Sequence, residues 1–218
     1  MPAYFSTYIV LLIISAAITF SASLTARKRK APGSSTLTAL LVALSMWSAF
    51  SAAQYIQEGF AAKFFWLNVM VVPVAAVPIL FMNFILKFSG NTVWFTRRTL
   101  IAFFVFSIAF ILLQWTNSYH HLVLSSVQLV EQDGFPVLEI QRGPIYFVNL
   151  ALAYSTVTIG TLTLMREALR ASNLYRNQYR LLLLGCIIPF AFSIYSQVKY
   201  ISFSSLDISP ISFGITGV

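Results

Sequence analysis

The chain has 218 residues, 58% of them hydrophobic and 9% charged, with a mean hydropathy of +0.80; this composition excludes a water-soluble domain and places the chain in a membrane. Its formal charge of +8 is carried by cations between apolar runs, which argues against nucleic acid as a partner and for the positive-inside rule. The length leaves room for roughly six or seven spanning helices and no separate soluble domain, and the single cysteine, Cys186, excludes an internal disulfide.

Residues 4–24 form the first apolar stretch, with no charge before it and Arg27, Lys28, Arg29 and Lys30 directly after it, the reverse of a secretory signal peptide. Stretches at 35–56, 64–88, 99–117, 144–165 and 181–201 follow, each long enough to cross a hydrocarbon core about 30 Å thick. The third contains Pro73 and Pro78 and the sixth Pro189. Each proline removes a backbone hydrogen bond, so the third helix is expected to kink or unwind between its two, as a hinge or as a static fit. Ala17 with Ser21, Ala39 with Ala43 and Ser48 with Ala52 are small residues four apart that would let the first two helices approach closely.

The longest connection, "LVLSSVQLVEQDGFPVLEIQRG", sets strand-like runs on both sides of Asp133-Gly134. Asp-Gly in that setting predicts an extracytoplasmic β-hairpin at about 120–142, between helices four and five, either a lid on a pocket or a tie between helices. Farther on, "LDISP" reads as a helix start, with Asp207 or Ser209 as the cap and Pro210 in the first turn. The helix so begun, at 210–218, rises only about 12 Å. The expectation is therefore an all-α integral membrane protein: a seven-helix transmembrane bundle whose seventh helix is incomplete, in a chain that is a piece of a larger protein.

Orientation follows from charge. Eleven of the fourteen cations fall in the odd-numbered turns, Arg27–Lys30, Lys87, Arg97, Arg98, Arg166, Arg170, Arg176 and Arg180, leaving Lys63, Arg142 and Lys199 in the even ones. Glu58, Glu131, Asp133, Glu139 and Asp207 also lie in the even turns. The N-terminus is thus expected outside the plasma (inner) membrane and the seventh helix running into the cytoplasm.

Polar groups at bilayer depth are costly and mark candidate sites. Trp66 and Asn68 open helix three, Gln114, Trp115 and Asn117 close helix four, Tyr146, Asn149 and Tyr154 lie in the outer half of helix five, and Tyr195 and Gln197 end helix six. All fall near the outer boundary, where a pocket open to the outside needs donors and acceptors. Trp66, Asn68, Gln114, Asn117, Tyr146, Asn149, Tyr154 and Gln197 are the candidate ligand-binding residues, although interfacial anchoring explains any one Trp or Tyr as well. The pair His120-His121 does not suggest a metal, since neighbouring side chains diverge and no carboxylate or cysteine ligands lie at suitable spacing.

The blocks "FFWLNVMVVPVAAVPILFMNFILKFSG", "WTNSYHHLVLSS", "RNQYRLLLLGCIIPF" and "LDISPISFGITGV" occur in that order. Together they resemble the seven-helix N-terminal sensor region of bacterial and archaeal histidine kinases, a module also found ahead of diguanylate cyclases. The resemblance covers nearly the whole chain and is most specific at Tyr175–Gly185 and Leu206–Phe213. It implies a seventh helix that continues into PAS, kinase or cyclase modules of the same chain, and a homodimer in the parent protein. It also implies a cytoplasmic signalling face at Arg176, Gln178 and Arg180.

Three functions compete. A sensor needs a ligand that prefers one of two helix arrangements. A transporter is the alternative, but those folds commonly show paired repeats and polar groups at the midplane, which are not evident here. A retinal photoreceptor needs a carboxylate counter-ion, and no acid lies within the first six spans. No H-E-x-x-H, nucleophile elbow or phosphate loop occurs, so no catalysis is expected in this stretch. The sequence reading is a sensor for an uncharged or amphipathic small ligand, with membrane lipids as its surroundings and no cofactor.

Overall fold

Inside a bilayer no water is available to backbone N–H and C=O groups, so apolar runs of this length close their hydrogen bonds within helices. In a computed structural model that describes residues 3–90, 97–132, 134–171, 173–202 and 209–216, they form α1 (Ala3–Lys28), α2 (Ser34–Ile56), α3 (Phe60–Ser89), α4 (Arg97–Trp115), the single turn α5 (Asn117–His120), α6 (Pro144–Arg170), α7 (Asn173–Ser202) and α8 (Ser209–Thr216). Strands β1 (Leu124–Gln132) and β2 (Phe135–Arg142) stand between α5 and α6. Among the described residues, 6 helices, α1 to α4, α6 and α7, are long and apolar enough to cross a membrane. The chain is a multi-pass membrane protein with the expected hairpin between its fourth and fifth spans.

Several helices run beyond their expected ends. The loop read at Arg166–Arg180 is almost wholly helical, because α6 extends to Arg170 and α7 begins at Asn173. Helix α3 begins at Phe60, so Lys63 belongs to its first turn and not to a connection. The backbone from Phe60 to Ser89 is continuously helical through Pro73 and Pro78, so the stretch between them is not unwound. There the Ser107 hydroxyl of α4 donates to the Ala75 carbonyl at 3.3 Å. Asp133 and Asp207 lie outside the described residues.

Around the bundle α1 packs on α2, α2 on α3, α3 on α6, α6 on α7, and α7 on α8, which returns to α1 and α2. Helix α4 packs chiefly against α3. Much of its surface is apolar and exposed, with Phe104 and Leu112 about 60% accessible (58% and 61%), as suits a lipid-facing helix. The α1 contact face corrects the small-residue expectation. Ala17 and Ser21 face outward, whereas Leu12, Ser15, Thr19, Ser23 and Ala26 are buried. The hydroxyls of Thr19 and Ser23 bond back to carbonyls of their own helix, which lets polar residues pack in an apolar interface.

Helix α8 descends along α2. Ile211 packs beside Tyr8, Leu12 and Ala52, and Phe213 beside Leu44 and Trp47. It thus points toward the end of the bundle that carries Arg27–Lys30, the basic end; the opposite end carries the hairpin. Pro210 sits against Ser15, ~18 Å of helix rise below Ala3, so α8 opens within the bundle and not at its rim.

The hairpin is antiparallel, with Gln132 paired to Phe135 and Gly134 at φ 75°, a left-handed conformation that suits glycine in so tight a turn. Its root is held by Asn117. The Asn117 amide nitrogen donates to the Leu124 carbonyl at 2.8 Å, and its oxygen accepts the N–H groups of Val123 and Leu124, each at 3.0 Å. Gly143 packs so closely on Leu122 that a Cβ there would come within 2.2 Å of the Leu122 carbonyl oxygen. Replacing Asn117 with Ala strands three buried backbone groups and should cost about 3 kcal/mol, read as a lower Tm in detergent and faster proteolysis within 122–143; an unchanged Tm would show that Asn117 does not hold the hairpin.

Candidate functional site

A cavity of about 790 Å³ lies among α2, α3, α4, α6 and α7, within the size range of small-molecule sites. The side chains that form it follow from the helix periods. Tyr146, Leu150 and Tyr154, with Asn149 and Ala153 beside them, recur at three- and four-residue spacing on one face of α6, and Phe103, Phe106, Ser107, Phe110 and Gln114 do the same on α4. Toward the basic end the wall is apolar, with Leu40, Val77, Phe84 and Leu182. Toward the hairpin it turns polar, with Gln54, Gln114, Tyr146, Asn149 and Gln197. Ile140 and Arg142 of β2 complete the hairpin side, so the hairpin forms part of its roof.

Five of the candidate residues therefore meet at one cavity: Gln114, Tyr146, Asn149, Tyr154 and Gln197. Their contacts tie helix to helix. The Tyr146 hydroxyl donates to Gln197 Oε1 at 2.7 Å, Tyr154 lies 2.9 Å from the Ser193 hydroxyl, and Gln114 Nε2 donates to Asn68 Oδ1 at 3.0 Å. The Asn149 side chain, half-buried on the wall, has no hydrogen-bond partner among the described residues. The other three candidates stand apart from the wall. Trp66 packs against Phe50 and Phe65, Asn68 is buried behind Gln114, and Asn117 is spent on the hairpin root. Of the prolines, Pro78 lines the cavity, Pro73 is buried in α3 and Pro189 is buried in α7.

Residues at the two rims complete the geometry. At the start of α7, Gln178 and Arg180 are exposed and Arg176 donates to the Ala171 carbonyl at 3.5 Å. At the other end, His120 accepts the Leu122 N–H through Nδ1 at 3.0 Å, while His121 takes a left-handed backbone (φ 53°) at the end of α5.

Reasoning from the sequence missed several wall residues: Trp47, Ser51 and Gln54 on α2, Ser193 and Ser196 on α7, and Phe213 on α8. Serines in a helix interior carry little signal, since most bond to their own backbone. Lys63 was placed in a turn between helices and is 1% accessible in the first turn of α3. Its ammonium donates to the Gln54 and Tyr55 carbonyls at 3.3 and 3.4 Å, in the last turn of α2, where helix carbonyls lack partners and the dipole favours a cation. It also lies 4.9 Å from the centre of the Phe135 ring at the hairpin tip and 5.9 Å from that of Tyr55. Lys63 thus fastens the far end of the hairpin to α2, opposite the root at Asn117.

Residues 10–218 match the family described as the N-terminal 7TM region of histidine kinase. No curated protein and no solved structure matches the chain.

Lys63→Ala removes a helix cap, a cation–π contact and a buried stem together, and should destabilise the fold by about 2–4 kcal/mol. Lys63→Met keeps the stem and should cost roughly half as much. Thermal unfolding in detergent measures both; equal, negligible losses would show that the hairpin tip is held by other contacts.

Proposed function

Because the chain belongs to the family of N-terminal seven-transmembrane regions of histidine kinases, we propose that it is the signal-input part of such a kinase, and that its cavity takes a small ligand from outside or from the membrane. The observation that carries this reading is the place of Phe213. This residue of α8 lines the cavity and sits 5.5 Å, ring to ring, from Trp47 on the cavity's α2 wall. A ligand that reaches the wall at Trp47 and Phe213 therefore touches the helix that heads for the basic end, with no intervening relay. If the bound and free cavities favour different positions of α8, occupancy becomes a displacement of that helix.

The other parts fit the same scheme. Asn149 brings an uncommitted amide to the wall, and the Tyr146–Gln197 and Tyr154–Ser193 bonds join α6 to α7 in pairs that a ligand can exchange for its own contacts. The basic end faces the cytoplasm of a cell whose inner membrane the helices span, because ten exposed or half-exposed cations, Arg27, Lys28, Arg29, Lys30, Lys87, Arg98, Arg166, Arg170, Arg176 and Arg180, gather there. Beyond α8 the chain continues into a cytoplasmic output module, a dimeric kinase, with Arg176, Gln178 and Arg180 beside its point of entry. The hairpin, anchored at root and tip, is the cover on the outer side.

In the full-length protein, Phe213→Ala should shift basal autophosphorylation by about threefold or more, the effect of losing one aromatic contact of ~1 kcal/mol between two states, while the Tm falls by only a few degrees. Autophosphorylation identical to that of the parent protein would remove α8 from the signalling path.

A further inference from the structure

The cavity wall specifies the chemistry of what it can hold. Two of its polar atoms are buried and have no hydrogen-bond partner among the described residues: Nε1 of Trp47 and the hydroxyl of Ser196, a residue only 3% accessible. An indole N–H can only donate, so an occupant that satisfies Trp47 must present an acceptor. Charge narrows the class. Among the described residues of the wall, Arg142 is the one charged side chain, and it lies at the hairpin rim with its guanidinium 4.3 Å from the Tyr146 ring. An ionised head at the depth of Trp47, which packs among Leu44, Phe84 and Phe213, would meet no opposite charge and lose its hydration.

The shape adds a chain and a route. Below the polar band the wall is mainly apolar down to Leu37 and Leu181, and the hydroxyl of Thr156 there is spent on the Leu152 carbonyl at 2.8 Å. Helix α4 has little direct contact with α6 or α7, and Leu181 and Leu184, which line the cavity between them, are 69% and 56% accessible. The apolar half therefore communicates with the bilayer. We propose that the ligand is a single-chain amphiphile with an uncharged, hydrogen-bond-accepting head, such as an acyl ester, amide or ketone, that enters sideways from the lipid and lies with its tail toward the basic end. This rests on the sensor reading of the same cavity and gives it a ligand class.

The test uses the full-length chain in phosphatidylcholine nanodiscs and a monoacylglycerol carrying a photoreactive diazirine in its acyl chain, with cross-links mapped by mass spectrometry. Labelling is expected in the Leu182–Cys186 segment. A fatty acid and an alkyltrimethylammonium of equal length should label it less by about tenfold or more. Trp47→Phe, which keeps the ring against Phe213, and Ser196→Ala should each lower labelling by about three- to tenfold, the worth of one hydrogen bond. Stronger labelling by the fatty acid would overturn the uncharged head, and equal labelling by a diazirine-bearing phosphatidylcholine would identify the occupant as bulk lipid and overturn the proposal. So would undiminished labelling in both variants. Specific labelling with no change in autophosphorylation on adding monoacylglycerol supports the ligand class and overturns the sensor reading alone; a response of autophosphorylation without labelling does the opposite.

Discussion

The arrangement depends on one carbonyl oxygen. Pro210, in the first turn of α8, has its carbonyl approached by the Ser15 hydroxyl of α1 at 2.7 Å and the Ser48 hydroxyl of α2 at 3.3 Å, and the two hydroxyls are themselves 3.3 Å apart. In a bilayer interior nothing but protein can meet such groups, so the junction fixes where α8 starts and how far it lies from its neighbours. Gly214 makes the approach possible, because a Cβ there would come within 2.5 Å of the Ser15 hydroxyl oxygen. With α8 so fixed, Phe213 falls against Trp47 and becomes part of the cavity wall.

This gives the bundle two unlike halves. On the side of α1, α2 and α8, small hydroxyl residues bring helices close and their polar atoms bond within the interface. On the other side α4 has little direct contact with α6 or α7, which pack on each other, and the space left between them is the cavity. Close packing resists rearrangement, whereas a wall joined by single hydrogen bonds such as Tyr146–Gln197 can exchange partners at small cost. The hairpin bridges both halves, rooted by Asn117 beside α4 and α6 and held at its tip by Lys63 beside α2.

Much of this was legible in the residues. The spans are long enough that hydropathy alone locates them, and the Asp-Gly between apolar runs locates the hairpin. Tyr146, Asn149, Tyr154 and Gln197 could be named because polar side chains stand out in an apolar helix. Other features carried no such mark. The packing face of α1 was misread because the pairs Ala17 with Ser21 and Ser15 with Thr19 share the same spacing, and only partners distant in the chain choose between them. Lys63 was counted only as a turn cation because the carbonyls and rings that bury it come from α2 and from the hairpin tip. Asn68 and Asn117 were placed at the site by residue type, but their amides are spent on Gln114 and on the hairpin root.

The junction at Pro210 also orders assembly in time. Ser15 and Pro210 are 195 residues apart, and Ser48 and Pro210 162. During synthesis from the N-terminus, α1 and α2 can pair long before α8 exists. The cleft that receives α8 must therefore stay open until the spans between have been inserted. A bundle assembled wrongly at any earlier step has no seat for α8, so the helix proposed to carry the signal also reports that the bundle above it is complete.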